Sequence, residues 1–393
     1  MTSPTPLLPL RRRAVLALPA ALTLSPALLP APLRAAPKEA ARDAGRPRLL
    51  QLVDAAAMQQ ELVRDYTTGW RLAWATRRPA APKGAGGPGP VLFTRPVDLQ
   101  KPGALNEVVA LLRQDPSIIG IAGSVGEGLA VQAIAATAAA KLRIAHIGPW
   151  MADARHDAQD EVLSLFPSRA TQLRHAVAAV KGMGIDQAVV VYPGQREQQL
   201  YEGQIDASAR ALGLRVATVS LNDRETWPQL TARVAKLAPS LLLFVGGTAE
   251  LAVLSQAMAA QRLRCFVLSL SDVDHATLLQ MHPGAGVPLI LTQVVPNPGS
   301  SATPLVMRYR AALKDLFDEP PSPLSLAGFV AGACALEACR RAGPTLDRAS
   351  LLAEVQRRTP MDIDGFRLDF NAGRRGSSFV THTLLRADGS LVG

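Results

Sequence analysis

The sequence lacks the motifs on which most enzyme active sites depend. It holds three cysteines and six histidines in 393 residues, and no two histidines have the H-x-x-x-H spacing of a helical metal site. Neither a G-x-x-x-x-G-K-[ST] phosphate loop nor a G-x-S-x-G nucleophile elbow occurs. The glycine-rich stretch 84–89 precedes a β-type run instead of following one, so it cannot place phosphate at a helix N-terminus. We therefore expect no enzymatic activity, no metal and no cofactor.

Cysteine is too scarce for a disulfide framework. Cys334 and Cys339 stand five positions apart in a helical run, which places them on different faces of a helix. We interpret these two and Cys265 as small core residues, although a bridge to Cys265 stays open as an alternative.

A strong charge of one sign is also missing from most of the chain. The formal net charge is +10, but four arginines lie within residues 1–36, where there is no acidic residue. The rest of the chain holds 38 basic and 32 acidic residues, and no basic run is interleaved with aromatic residues. A nucleic-acid partner is therefore not expected.

A long apolar stretch occurs only at the amino-terminal end. Residues 1–36 combine a basic stretch at 11–13, an apolar stretch at 14–33 and the small pair Ala35-Ala36. This layout is typical of a signal peptide, and the paired arginines resemble a twin-arginine signal. Four prolines in the apolar stretch argue against a membrane-spanning helix. We expect export to the periplasm by the twin-arginine or the general secretory route; a leader without a targeting role is the alternative.

From residue 48 onward, short β-type runs alternate with stretches of helical spacing. The sequence predicts strands at 48–53, 91–94, 118–121, 143–147, 188–192, 215–220, 241–245, 266–269 and 287–294. It predicts helices between them at 59–77, 103–113, 129–140, 171–183, 198–212, 226–237 and 248–261. Continuously apolar strands separated by helices of this length predict parallel sheets covered on both faces, in doubly wound α/β layers.

The last hundred residues break this alternation. Three helices are predicted at 304–316, 324–342 and 346–357, followed by short strands at 366–370 and 379–386. Because 393 residues exceed the size at which one hydrophobic core usually stops growing, the sequence predicts two lobes.

Short segments along nearly the whole chain have the order and spacing of one known family. The clearest are IAGS at 121–124, GPW at 148–150, TQVVPNP at 292–298 and DGFRLDF at 364–370. Together they resemble the type 1 periplasmic binding proteins of the leucine/isoleucine/valine-binding group, which serve ABC importers. The resemblance implies two doubly wound parallel-sheet lobes, joined by three crossovers, that close over a ligand in the cleft between them.

The same resemblance implies where each lobe begins and ends. It assigns residues 44–166 and 272–362 to the amino-terminal lobe. It assigns residues 167–271 and 363–393 to the carboxyl-terminal lobe. The chain therefore passes between the lobes three times.

In the first lobe, the resemblance places ligand contacts in the loops after the third and fourth strands. Gly123, Ser124 and Val125 form the first of these loops, and the Ser124 hydroxyl is expected either to bind an anion or to cap the next helix. Trp150 and Met151 belong to the second loop, in which Met151 replaces the family's usual hydroxyl residue. Trp150 is expected to stack on the ligand or to wall the cleft.

In the second lobe, the resemblance points to three further residues. Tyr201 stands one position after the family's cleft aromatic, and Thr248 occupies another aromatic position. Asp272 is expected to hold an ammonium group or to cap a helix.

These residues lead to an expected function. Several polar groups of amino-acid-binding members are replaced, which disfavours a zwitterionic aliphatic amino acid. The expected ligand is a small organic molecule, amino-acid-like or a carboxylate, bound by Ser124 and main-chain donors. The chain would then be the solute-binding subunit of an ABC importer, whose membrane permease and ATPase are other chains. The alternative is an envelope protein that senses a ligand or acts as a scaffold with the same fold, without transport.

Overall fold

The computed structural model describes residues 45–56, 59–76, 89–281, 287–317, 319–371, 373–386 and 391–393. The predicted signal segment 1–36 lies outside these residues. Within the described ranges, no helix has both the length and the apolar character needed to cross a bilayer.

The described residues alternate between strands and helices as expected. The strands are β1 Arg48–Asp54, β2 Val91–Val97, β3 Ile118–Ala122, β4 Ala145–Ile147, β5 Val162–Leu163, β6 Gln187–Tyr192, β7 Arg215–Ser220, β8 Leu241–Phe244, β9 Phe266–Ser269, β10 Leu289–Gln293, β11 Met361–Ile363, β12 Phe366–Leu368, β13 Thr381–Leu385 and β14 Leu391–Val392. The helices are α1 Gln60–Ala75, α2 Ala104–Gln114, α3 Glu127–Ala139, α4 Arg169–Gly182, α5 Gln195–Ala211, α6 Trp227–Lys236, α7 Thr248–Ala260, α8 His275–Met281, α9 Pro304–Leu316, α10 Pro323–Arg341 and α11 Arg348–Arg357. Two strands, β7 and β9, have the predicted bounds.

The first lobe is built on a five-stranded parallel sheet in the order β2-β1-β3-β4-β5. The side chains of β1 pack in two different hydrophobic cores. Leu49 and Val53 pack with residues of α1, α9, α10 and α11. Leu50 and Leu52 pack with residues of α2 and α3. Because side chains alternate across a strand, helices cover both faces of this sheet.

The second lobe is built on a seven-stranded sheet in the order β14-β13-β10-β9-β8-β6-β7. Strands β6 to β10 run parallel, and β13 and β14 add an antiparallel edge. Val189 and Val191 of β6 pack with residues of α6, α7 and α8, whereas Val190 and Tyr192 pack with α4 and α5. This sheet is therefore also covered on both faces, which confirms the predicted fold class.

The chain passes between the sheets three times, but two predicted lobe boundaries are wrong. It leaves the first lobe after β5, returns to that lobe after β10 with α9, α10 and α11, and leaves it again before β13. The boundary at 272 is wrong because β10 pairs with β9 and β13 in the second sheet. The boundary at 362 is wrong because Ile363, Phe366 and Leu368 belong to the core of the first lobe. The pairing of β10 with β13 joins residues about ninety positions apart, whereas β11 and β12 form a local hairpin that packs on the core of the first lobe.

Helices α1 and α10 of the first lobe meet at backbone distance. A Cβ atom on Gly69 would lie 1.7 Å from the Ser325 carbonyl oxygen. A Cβ atom on Gly328 would lie 2.1 Å from the Tyr66 carbonyl oxygen. Only glycine at both positions permits this contact, which fixes α1 beside the strand-end loops of its sheet.

All three cysteines are buried and free, so the bridge to Cys265 does not form. Burial raises the pKa of Cys265 to about 11 and that of Cys334 to about 12. Such thiols stay protonated at neutral pH and behave as small apolar side chains.

Candidate functional site

A cavity of about 440 Å³ lies where strand-end loops of the two sheets face each other. Asp54 at the end of β1 and Trp150 after β4 line it from the first lobe. Gly246 after β8 and Asp272 after β9 line it from the second. Open α/β sheets bind ligands at the carboxyl ends of their strands, and this volume suits a small molecule. The cavity, called the cleft below, is therefore the candidate site.

The first-lobe side of the cleft is an apolar wall formed by Trp150, Met151 and Phe166. The Trp150 ring lies 5.7 Å from the ring of Tyr66 and 5.5 Å from that of Phe166, measured between centroids. The buried Tyr66 hydroxyl donates a hydrogen bond of 2.9 Å to the Gly148 carbonyl oxygen, and burial raises the pKa of Tyr66 well above its usual value. The wall is thus continuous with the core beneath it.

Arg375 holds the loop that follows this wall. Its Nη1 donates to the carbonyl oxygens of Met151 at 3.1 Å and Phe166 at 2.8 Å, and its Nη2 donates to that of Asp153 at 2.6 Å. Its Nε pairs with the Asp157 carboxylate at 2.7 Å. All these groups are carbonyl or carboxylate acceptors, so one buried guanidinium positions the loop after β4 and the first crossover together.

The second-lobe side is centred on Arg169, the first residue of α4. The Arg169 side chain pairs with Asp272, whose Oδ2 also accepts from Nε at 3.1 Å. Its Nη1 donates to the Tyr201 hydroxyl at 2.9 Å, and its Nη2 donates to Glu127 Oε2 at 2.8 Å. The negative charge of Asp272, then that of Glu127, raises the pKa of Arg169 further above its already high value. The guanidinium is therefore a permanent cation held by two carboxylates.

Glu127 links this network to the first lobe. It is the first residue of α3, and its Oε1 accepts hydrogen bonds from the backbone N–H groups of Ala152 at 3.1 Å and Asp153 at 2.7 Å. Its other oxygen pairs with Arg169 of the second lobe. One carboxylate thus joins the loop after β4 to the opposite side of the cleft.

Three predicted contacts of the second lobe line the cleft: Tyr201, Thr248 and Asp272. The neighbouring Leu200 is 58% exposed, which places the ring one position later, as the sequence suggested. The Thr248 hydroxyl accepts from the backbone N–H of Asp274 at 2.9 Å. Asp272 does not cap a helix, because α8 begins three residues later, and its Oδ2 is already paired with Arg169.

The first-lobe contacts divide into two groups. Trp150 and Met151 line the cleft, whereas the cavity lining does not include Gly123, Ser124 or Val125. The structure contradicts a helix cap at Ser124, because the N-cap of α3 is Gly126. The anion site at Ser124 stays a prediction: the side chain is 2% exposed, and its hydroxyl has no hydrogen-bond partner among the described residues.

The loop after β3 is instead held against the sheet. The Gly123 N–H donates to the Ile147 carbonyl oxygen at 2.8 Å, and the Val125 N–H donates to that of Leu52 at 2.9 Å. The Trp70 ring lies where a Gly123 side chain would project, 2.5 Å from its Cβ position. These main-chain donors extend the strand pairing and are not free for a ligand.

The prediction missed the charged residues of the cleft. Besides Arg169 and Glu127, they are Asp54, Glu197, Glu250 and Asp274. A local signal exists for three of them, because Glu127, Glu197 and Glu250 each lie in the first turn of a helix that follows a strand. Among the residues that the structure describes, no group of three or more His, Cys, Asp or Glu side chains is arranged to hold a metal ion.

A second cavity of about 740 Å³ lies beside the three crossovers. Pro167, Pro296 and Ser377 line it, one from each crossover segment. None of the predicted ligand contacts lines this cavity. No carboxylate from the first turn of a described helix lines it either. The cleft is therefore the better candidate, although it is the smaller space.

Comparison with known proteins covers most of the chain. The sequence model of a family described as periplasmic binding protein matches residues 100–385. Among curated proteins, no relative matches.

Solved structures share the fold at low sequence identity. A substrate-binding periplasmic protein from Ralstonia solanacearum is 21% identical, with a TM-score of 0.72 over 88% of this chain and 99% of that one. A possible leucine/isoleucine/valine-binding protein from Rhodopirellula baltica is 19% identical, with a TM-score of 0.72 over 89% and 97%. A branched-chain amino acid ABC transporter protein from Thermus thermophilus with bound valine is 14% identical, with a TM-score of 0.69 over 88% and 95%. Similarity at this level of identity establishes the fold.

Proposed function

The chain belongs to the periplasmic binding protein family, and from this premise we propose that it is the solute-binding subunit of an ABC importer. One observation carries the proposal: strand-end loops of both lobes line a single cavity of about 440 Å³. A solute there would contact both lobes at once, so its binding energy would favour the closed arrangement. The proposal contains no catalytic step.

The proposed role requires export and partners. Residues 1–36 have the layout of a signal peptide, which supports delivery to the periplasm by the twin-arginine or general secretory route. Transport would also require a membrane permease and an ATPase as separate chains. Delivery of the solute to that permease is the property that separates an importer subunit from a sensor with the same fold.

Binding is tested on the protein recovered from the periplasm of a producing cell. Native mass spectrometry should detect a retained small molecule, and Trp150→Leu should release it because the substitution removes the aromatic wall of the cleft. Trp227→Leu is the matched control, since that ring packs against Phe244 of the second lobe, 6.4 Å away, and does not line the cleft. A protein that retains no solute and binds none from a metabolite library would refute the proposal.

The transport role is tested separately in the native cell. Deletion of the gene should abolish uptake of the identified solute, and a plasmid copy should restore it. Normal uptake in the deletion strain, combined with solute binding in vitro, would favour the sensory or scaffolding alternative.

A further inference from the structure

We propose that the solute held in the cleft is an organic cation of the amine or guanidinium class, with a net positive charge. This inference rests on the proposed function and names the chemical class of its ligand. It replaces the expectation of a carboxylate, which depended on Ser124.

The first argument is the charge of the cleft. Among the residues that the structure describes, one basic side chain lines it, that of Arg169, together with six carboxylates: Asp54, Glu127, Glu197, Glu250, Asp272 and Asp274. Arg169 forms ion pairs with two of them, Glu127 and Asp272. Within the part of the chain that the structure describes, the other four form no ion pair. The cleft therefore carries an excess of negative charge, although the chain as a whole is basic.

The second argument concerns the helix ends that face the cleft. A free helix N-terminus attracts anions, because its first N–H groups lack partners and carry partial positive charge. Here Glu127, Glu197 and Glu250 occupy the first turns of α3, α5 and α7. The Glu250 carboxylate lies close to its N-cap, 2.9 Å from the Cβ position of Gly247. An anionic ligand would therefore meet a carboxylate at each of these ends.

The third argument is that side chains of the cleft already surround one cationic group, the guanidinium of Arg169. Carboxylates hold it from two sides, and its Cζ lies 5.5 Å from the Tyr201 ring centroid. Trp150 offers a second aromatic ring to the same cavity. Aromatic faces attract cations, so the walls of the cleft suit a second amine or guanidinium group.

One acceptor of the cleft lacks a donor. Asp272 Oδ1 is shielded from solvent and accepts no hydrogen bond from a described residue. A shielded carboxylate oxygen without a donor is unfavourable, and a ligand ammonium or guanidinium N–H would satisfy it. The cleft carboxylates belong to no group arranged for a metal ion among the described residues, so an organic cation is the better fit.

The test measures binding to the full chain by calorimetry with two panels of probes. Putrescine, agmatine and choline form the cationic panel; acetate, succinate and L-valine form the comparison panel. We expect at least one cationic probe to bind and the comparison probes not to bind. The affinity should fall as salt is raised, because charge attraction in an open cleft is screened.

Two variants locate the effect. Glu197→Gln and Glu250→Gln each remove one cleft charge with little change of shape, and each should weaken binding of the cationic probe about tenfold. Glu202→Gln is the matched control on α5, because Glu202 accepts from Gln198 and does not line the cleft. Its affinity should equal that of the parent protein.

The outcomes separate this inference from the proposed function. Binding of valine, succinate or a neutral solute without binding of any cation would overturn the inference and leave the solute-binding role intact. Cation binding that is equally strong in Glu197→Gln, Glu250→Gln and the parent would overturn the inference as well. No binding of any probe, with no solute retained in native mass spectrometry, would overturn both.

Discussion

The two lobes build their sides of the cleft by different physical means. The first-lobe wall is apolar and continuous with the core, since Trp150 packs on Tyr66 and Phe166. The second-lobe wall is polar, and ion pairs around Arg169 hold it in place. Substitutions that disturb packing should therefore damage the first-lobe wall. Substitutions that change a charge should damage the second-lobe wall. The difference indicates that the aromatic part of the first-lobe side provides a fixed surface, whereas the charged groups around Arg169, which include Glu127 of the first lobe, provide charge recognition.

The largest expected effect comes from breaking the packing beneath the apolar wall. Gly69→Ala should destabilise the protein by about 3 kcal/mol, because the new Cβ would overlap the Ser325 carbonyl oxygen of α10 and backbone atoms cannot rotate away. Chemical unfolding monitored by circular dichroism measures this change. Solute binding should weaken in the same variant, since α1 carries Tyr66, on which Trp150 packs.

A glycine of the second lobe provides the matched control. Gly203 lies on an exposed face of α5, and its added Cβ would meet no atom within 4 Å. Gly203→Ala should therefore stabilise the protein by about 0.5–1 kcal/mol, as expected for alanine in a helix. Equal losses in the two variants would contradict the role assigned to the close helix contact.

The next effect tests the polar wall. Arg169→Ala should destabilise the protein by about 2 kcal/mol, because Glu127 and Asp272 would keep their charges in a half-buried site without the cation. Thermal and urea unfolding measure the loss. Arg174→Ala on the same helix is the control: Arg174 is exposed, and among the described residues its side chain bonds only to the Thr171 hydroxyl, so its loss should change stability by less than about 0.5 kcal/mol. Equal losses of stability in Arg169→Ala and Arg174→Ala would show that the ion pairs of Arg169 do not hold the second-lobe wall in place.

The sequence predicted the fold more fully than the site. Strands such as β7 and β9 are apolar runs bounded by turns, and their limits follow from local pattern alone. The assignment of β10 to a lobe failed, because it depends on pairing with β13, about ninety residues later in the chain. Helix α8 has only seven residues, too few to show a periodic pattern.

Single residues of the site were predicted, but the pairs that they form were not. The family resemblance pointed to Trp150, Tyr201 and Asp272, and all three line the cleft. The pairing of Arg169 with Glu127 joins residues 42 positions apart, and with Asp272 it joins residues 103 apart. No local pattern encodes such a pair. The sign of the cleft's charge therefore emerges only when the sheets bring these residues together.

The last prediction distinguishes the lobes by their response to acid. Burial, then the charge of nearby His156, lowers the pKa of His146 in β4 of the first lobe to about 3. An unfolded histidine takes up a proton below about pH 6.5, whereas the folded one stays neutral until about pH 3. The unfolded state therefore binds more protons in this window, and stability should fall with falling pH by up to about 1.4 kcal/mol per unit.

Urea unfolding at pH 7, 6, 5 and 4 measures this slope in the parent protein and in His146→Gln. The amide of glutamine can still bond the Thr137 hydroxyl, which now lies 2.9 Å from His146 Nε2, but it takes up no proton. The slope of His146→Gln should be shallower, and the difference isolates His146 from the carboxylates that also titrate. Parallel slopes in the parent protein and in His146→Gln would contradict the lowered pKa of His146.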